Sequence, residues 1–267
     1  MKALLLARDE VLRLLSTRRG LLSLVGFSLI WTAVLAYGVI PAAKLFSGAS
    51  QAGLVDLLAS GFGLVALQSW PTPELAVYWI ISLYLLPFLA ILTAADQTAS
   101  DRARGTLRFL VLRCNRLEIF FGRYLGQVFI LLLVVLVTLF SVLVVIALNS
   151  PELLAESLAA SPIIIVNLLL LLLPYIALMA LVSILASTAR QATLYAVILW
   201  LAVSLLANYL KYALPQLAIF DWVLPGSQVR QLISLSDWNT LTLAPIPLLH
   251  SLVLLVAGAF VMRQRDL

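Results

Sequence analysis

Charged residues are scarce in this sequence: they make up 11% of its 267 residues, whereas 63% are apolar. An average soluble domain has about 25% charged and about 45–50% apolar residues. The composition therefore excludes an ordinary soluble domain, a disordered chain and a nucleic-acid-binding module. Together with a mean hydropathy of +1.11, it predicts an integral membrane protein.

Cysteine and histidine are almost absent. One cysteine, Cys114, and one histidine, His250, exclude an intrachain disulfide, a CxxC metal or redox site and a histidine cluster within one chain. The sequence also has no GxxxxGK[ST] phosphate-binding loop, so this chain does not bind ATP in the P-loop manner. We predict no catalytic residue, no metal ligand and no cofactor on this chain.

Long uncharged runs are what the sequence has in abundance. A transmembrane helix needs about 20 mostly apolar residues to cross the bilayer. The runs predict an all-α integral membrane fold with six spans, at about 21–40, 75–95, 124–149, 163–189, 191–210 and 243–262. A short connection around 187–192 joins the fourth and fifth spans, which predicts a helical hairpin.

Two further segments are amphipathic or weakly apolar. In residues 1–20, Lys2, Arg8 and Arg13 alternate with leucines, which predicts an elbow helix in the headgroup layer that leads into the domain 21–267. A cleaved signal peptide would have a shorter apolar part. Residues 51–70 are predicted as a helix that lies at the interface or is partly re-entrant.

The basic residues are distributed unevenly, which predicts the topology. Fourteen of the seventeen lie in 1–20, in 96–123, at Arg190 or at the C-terminal end. Because Lys and Arg are retained on the cytoplasmic side, both termini and 96–123 are predicted to be cytoplasmic. The loops 41–74, 150–162 and 211–242 are then outside. A seventh span at 57–73 would move six arginines outside and is the weaker model.

The cytoplasmic segment 96–123 is too short for a catalytic domain, yet it is patterned. Asp101 lies in or near the favourable first turn of a helix, and Gly105 breaks or kinks that helix. Leu107 and Leu110 then share one side of a second short helix. The pattern predicts a helix that docks into a groove on a soluble partner. The alternative is a basic anchor for anionic lipid.

The residues at 101–126 resemble the signature loop of ABC-2-type permeases, the membrane subunits of ATP-binding-cassette exporters. They read Asp-Arg-Ala-Arg-Gly-Thr-Leu at 101–107, Arg-Cys-Asn-Arg at 113–116 and Gly-Arg-Tyr-Leu-Gly at 122–126. The family usually has Glu at the positions of Asp101 and Ala103 and Pro at that of Cys114. The resemblance is closest to the permeases of nitrous-oxide-reductase maturation and of gliding motility.

The resemblance implies a type V exporter-like permease in the bacterial cytoplasmic (inner) membrane. It implies a homodimer or heterodimer, served by two copies of an ABC ATPase that hold the ATP and Mg. The ATPase-coupling residues would be Asp101, Arg102, Arg104, Gly105, Thr106, Leu107, Arg108, Leu110, Arg113 and Arg116.

Polar residues inside the predicted spans are few. Asn167, Tyr175 and His250 either line a transport pathway or form hydrogen bonds between helices. Gly122 and Gly126 are either a helix-packing pair or an entry turn for span three.

Other functions and the cargo stay open from the sequence. An ion-coupled secondary transporter or an intramembrane enzyme is the alternative function. An intramembrane enzyme needs paired acids, a Ser/His set or a His/Glu metal motif, and a secondary transporter usually needs intramembrane carboxylates or inverted repeats. No Asp or Glu lies inside a predicted span, His250 stands alone there, and no inverted repeat is detected. The cargo would be lipid-linked, peptide or amphipathic, or the chain would act mechanically on a partner outside.

Overall fold

The computed structural model describes residues 2–47, 70–99, 101, 105–213, 222, 224–235 and 237–264. The described part consists of helices joined by short turns. The helices are α1 Lys2–Ser16, α2 Arg18–Val34, α3 Ile40–Ser47, α4 Pro73–Ala94, α5 Thr106–Val111, α6 Arg116–Asn149, α7 Leu154–Leu185, α8 Ala189–Ala213, α9 Val229–Ser234 and α10 Pro245–Gln264. A π-helical turn, Leu35–Val39, joins α2 to α3, and 3₁₀ turns precede α7 and α10.

Six of the described helical segments are long and apolar enough to cross a membrane, which confirms the prediction of an all-α fold with six spans. They are Gly20–Lys44, Pro73–Ala94, Arg116–Asn149, Pro151–Leu185, Ala189–Leu210 and Trp238–Gln264. The helix predicted for 51–70 lies outside the described residues, apart from Trp70.

Helices α6 and α7 begin about two turns before their predicted spans. Helix α6 begins at Arg116, because the backbone N–H of Asn115 donates to the Glu118 carboxylate at 2.9 Å and fixes the first turn there. Helix α7 runs without interruption through Pro162, so residues 154–162 of the predicted loop 150–162 are the first part of α7. Proline is tolerated in membrane helices because neighbouring groups satisfy the freed carbonyl.

Helix α7 is the centre of the bundle. It packs against α4, α6, α8 and α10. In an apolar stretch of 18 residues within this span, 72% of the residues are buried within the chain. The corresponding fractions are 11% for Gly20–Lys44 and 6% for Ala189–Leu210. The described part of the chain therefore leaves most of the apolar surface of the first and fifth spans uncovered.

Part of the loop predicted outside at 211–242 enters the bundle instead. Val229, Leu232 and Ile233 of α9 are buried, and the indole N–H of Trp79 on α4 donates to the backbone oxygen of Leu232 at 3.4 Å. The residues are apolar at i, i+3 and i+4, so one face of this short helix packs inward.

Candidate functional site

The candidate site is α5 with the turns that flank it, at the end of the bundle where α1 begins and α10 ends. Gly105 has φ +69°, a left-handed conformation that glycine adopts without strain, and it precedes the first residue of α5. The Thr106 hydroxyl donates to the backbone oxygen of Asp101 at 3.0 Å and to its carboxylate at 3.2 Å. Gly105 and Thr106 thus shape the turn into α5.

The face of α5 that we expected to dock on a partner is turned inward. Leu107 is only 4% exposed and belongs to the same buried cluster as Ile119 and Phe120 of α6, and Leu110 packs against that cluster. The expectation that Leu107 and Leu110 enter a partner's groove is therefore wrong for Leu107. The spacing defined a shared face correctly, but the chain's own core covers that face.

The outward apolar side chains here are those of Phe109 in α5, 73% exposed, and of Leu112, the residue that ends α5, 83% exposed. They lie three residues apart, so they project from neighbouring positions of the helix and its C-terminal turn. Hydrophobic pattern alone did not distinguish this pair from the inward pair, since both have helical spacing. We take Phe109 and Leu112 as the exposed apolar surface of the site.

Arg123 of α6 connects the segment before α5 to helix α1. Its guanidinium contacts Glu10 of α1 through one terminal nitrogen and Asp101 through the other. All three side chains are 85–90% buried. The sequence singled out Asp101 for its place at a helix start, whereas its partner Arg123 and the acid Glu10 were missed. The only signal for Arg123 was its position within the motif at 122–126.

Helix α1 can approach α6 closely because two glycines lie beneath it. A Cβ atom on Gly122 would be 2.8 Å from the Cβ of Leu6, and one on Gly126 would be 2.8 Å from the Cβ of Glu10. Of the two alternatives for this glycine pair, helix packing is therefore the one observed. The seat places Glu10 within reach of Arg123.

The far end of the α5 segment is also held. The Lys2 ammonium donates to the backbone oxygen of Arg113 at 2.9 Å, and Arg116 donates to the backbone oxygen of Arg263 at 3.3 Å. Arg102, Arg104 and the side chain of Arg108 lie outside the described residues. The described coupling candidates thus form one braced segment between α1, α6 and the end of α10.

The polar candidates inside the spans are not part of this site. The Asn167 amide donates to Ile163 O at 2.9 Å and to the Thr240 hydroxyl at 2.7 Å. The Tyr175 hydroxyl donates to Pro225 O at 3.1 Å, and its ring stacks on that of Trp200.

Of the two alternatives for Asn167 and Tyr175, a transport pathway or hydrogen bonds between helical segments, these contacts correspond to the second. His250 lies on a different helix, α10, and is half-buried. In the described ranges, no three His, Cys, Asp or Glu side chains come together as a metal site would require.

Comparison with known families gives one match over nearly the whole chain. The model of the family described as "ABC-2 family transporter protein" matches residues 4–267. No curated protein matches the chain. The match is to the family as a whole and does not distinguish the two branches named from the motif.

Proposed function

The chain belongs to the ABC-2 family of transporter proteins, and from this premise we propose that it exports its cargo with the energy of ATP hydrolysed on two copies of a separate ATPase. Membership makes it the membrane subunit of an ABC transporter. The sequence contains no P-loop of its own, so the nucleotide and its Mg²⁺ belong on the partner chain. The branch and the cargo class remain predictions from the sequence.

The observation that carries the proposal is the braced segment with its exposed apolar pair, Phe109 and Leu112. Ion pairs and a lysine contact hold the segment on both sides, so a force applied to it reaches α1 and α6. Burying one such side chain contributes about 1.5–3 kcal/mol. Phe109 and Leu112 therefore supply the anchors for the ATPase.

The orientation that we propose places this end in the cytoplasm, where ATP is. Most of the basic residues lie at this end, and Lys and Arg are retained on that side of the membrane. The exposed leucines of α1, Leu4, Leu5, Leu12 and Leu15, then rest in the inner headgroup layer. The membrane is the bacterial inner membrane.

A second copy of the chain completes the transporter in this proposal. Spans one and five have most of their apolar surface uncovered. Helix α4 also presents one exposed stripe, formed by Tyr84, Phe88 and Leu92 at helical spacing. A homodimer that buries these three surfaces would give a twelve-helix core. Asn208 on the exposed side of α8 would gain partners there, because polar side chains favour helix association in membranes.

The proposal is tested by changing the exposed apolar pair. Phe109→Asp and Leu112→Asp each remove about 1.5–3 kcal/mol of burial, so ATPase association should weaken at least about tenfold. Tyr212→Asp is the control, since Tyr212 is 88% exposed at the opposite end. The measurement is the amount of ATPase that copurifies at equal membrane levels. Full copurification by both variants would contradict the proposal.

A further inference from the structure

The segment between α8 and α10 reaches deep into the bundle. The backbone oxygen of Pro225 accepts a hydrogen bond from the Tyr175 hydroxyl. Tyr175 lies ten residues before Leu185, the last residue of α7. At 1.5 Å per residue, Tyr175 lies about 15 Å from that end of the helix. The apolar core of a bilayer is about 30 Å thick. The turn at 224–228 therefore lies about half the thickness of that core from the end of α7.

This turn carries buried polar groups that have no partner among the described residues. Gln228 is 1% exposed, and neither the nitrogen nor the oxygen of its side-chain amide has a hydrogen-bond partner among the described residues. The hydroxyl of Ser227 has no partner in the same part of the chain. An amide buried without hydrogen bonds is destabilising, because it gives up its hydrogen bonds to water and gains none in return.

A small cavity adjoins Gln228. Gln228, Asn167 and Thr240 supply the polar part of its lining, and Leu232 and Pro247 are among the apolar residues. Its volume is about 10 Å³, which is about the space that a single water needs. A water molecule can both donate and accept hydrogen bonds. It is also small enough for this cavity, so one water can serve the nitrogen and the oxygen of the Gln228 side-chain amide.

We propose that this cavity is a binding site for one ordered water, which joins Gln228 of the re-entrant turn to the Asn167–Thr240 pair. Irregular backbone at membrane depth is tolerated where it is buried in protein or lines a water-filled cavity. The water supplies the hydrogen bonds that the apolar surroundings do not. It thereby ties the re-entrant turn to α7 and to the segment that leads into α10.

The sign of a stability change tests the site. Gln228→Met keeps the length of the side chain and removes its hydrogen bonds. With water bound, the variant loses these bonds, and the melting temperature of the full chain in lipid nanodiscs should fall by at least about 2 °C. In a dry cavity the change removes an unsatisfied amide, so an equal or higher melting temperature would overturn the proposal. Gln231→Met, three residues further along in α9 and exposed, is the control and should leave the melting temperature unchanged.

A second measurement uses the unmodified chain. Hydroxyl radicals that X-rays generate from bound water modify the side chains next to it. Leu232 and Pro247 line the cavity, whereas Leu168 is fully buried on α7 and is not part of the lining. We expect labelling of Leu232 and Pro247 to exceed that of Leu168 several-fold. Equal labelling of all three residues would overturn the proposal.

Discussion

At the scale of single residues, Arg123 links α6 to α1 and to Asp101 at the end of the bundle that carries α5. One planar guanidinium contacts two carboxylates, those of Glu10 and Asp101, a geometry that lysine cannot reproduce because its ammonium is a point charge. Asp101 in turn holds the Thr106 hydroxyl. Arg123 alone cannot balance two carboxylates, and Arg13 of α1 supplies the second positive charge, 3.9 Å from the Glu10 carboxylate. Each carboxylate therefore has a cationic partner, which is what largely buried ions require.

Gly226 is the second residue whose identity the fold demands. Its φ is +87°, and a Cβ atom there would collide with the hydroxyl of Tyr175. The positive φ lets the chain reverse at membrane depth, and the missing side chain leaves room for the hydrogen bond from Tyr175 to Pro225. Both requirements point to glycine.

Gly226→Ala and Gly105→Ala separate these two requirements. Gly105 also has a positive φ, but nothing lies near its Cβ position. Gly105→Ala should therefore lower the free energy of unfolding by about 1–2 kcal/mol, the strain of an alanine in the left-handed conformation. Gly226→Ala adds the clash and should cost more. Thermal unfolding of both variants in the same lipid measures the difference, and equal melting temperatures would show that the contact with Tyr175 is not tight.

At the scale of elements, α1 is bound to α6 through small residues and one ion pair. Gly122 and Gly126 let the two helices touch, and Glu10 then meets Arg123. Lys2, also on α1, donates a hydrogen bond to the backbone oxygen of Arg113 in the turn after α5. Helix α1 is therefore one of the elements that brace the segment.

Gly126→Leu should dislodge α1. The larger side chain overlaps Glu10, and such overpacking typically costs about 1–3 kcal/mol. Trypsin should then cleave after Arg8 and Arg13 faster than in the unmodified chain. Gly26→Leu is the matched control, because Gly26 on α2 has open space at its Cβ position. Unchanged cleavage in Gly126→Leu would contradict this packing.

Prediction from the sequence succeeded for elements whose length the bilayer sets. The six apolar runs gave six long helices because a span needs about 20 residues whatever it contacts. The inward face of α5 was misassigned, because Leu107 and Phe109 both have neighbours at helical spacing. Glu10 and Arg123 are 113 residues apart, and no local pattern reveals such a contact. The re-entrant turn was missed because its polar residues are typical of a loop.

At the scale of the whole molecule, the proposed ATPase docks at one end of a bundle whose first and fifth spans are largely uncovered by the described residues. The described chain is tightly packed around α7, whereas α2 and α8 contribute little to its core. The proposed homodimer would use these spans, and the braced segments of the two copies would each take one ATPase. This arrangement requires that α5 and both ends of the chain face the cytoplasm.

Cysteine labelling tests the orientation. In a Cys114→Ser background, Glu152→Cys lies at the end opposite to Gln264→Cys, and both residues are exposed. A membrane-impermeant maleimide added from outside should label position 152 and leave position 264 unlabelled until the cells are opened. The reverse pattern would place α5 outside, away from ATP.

The central claim is that the ATPase docks on the exposed apolar pair of α5, and site-specific photocrosslinking tests it most directly. A photoreactive phenylalanine analogue replaces Phe109 in one variant and Phe140 in another, since Phe140 is comparably exposed, at 67%, but lies within α6. The account predicts that position 109 crosslinks to a protein with an ABC ATPase sequence, identified by mass spectrometry, and that position 140 does not. Capture of that ATPase from neither position, or equally from both, would contradict the account.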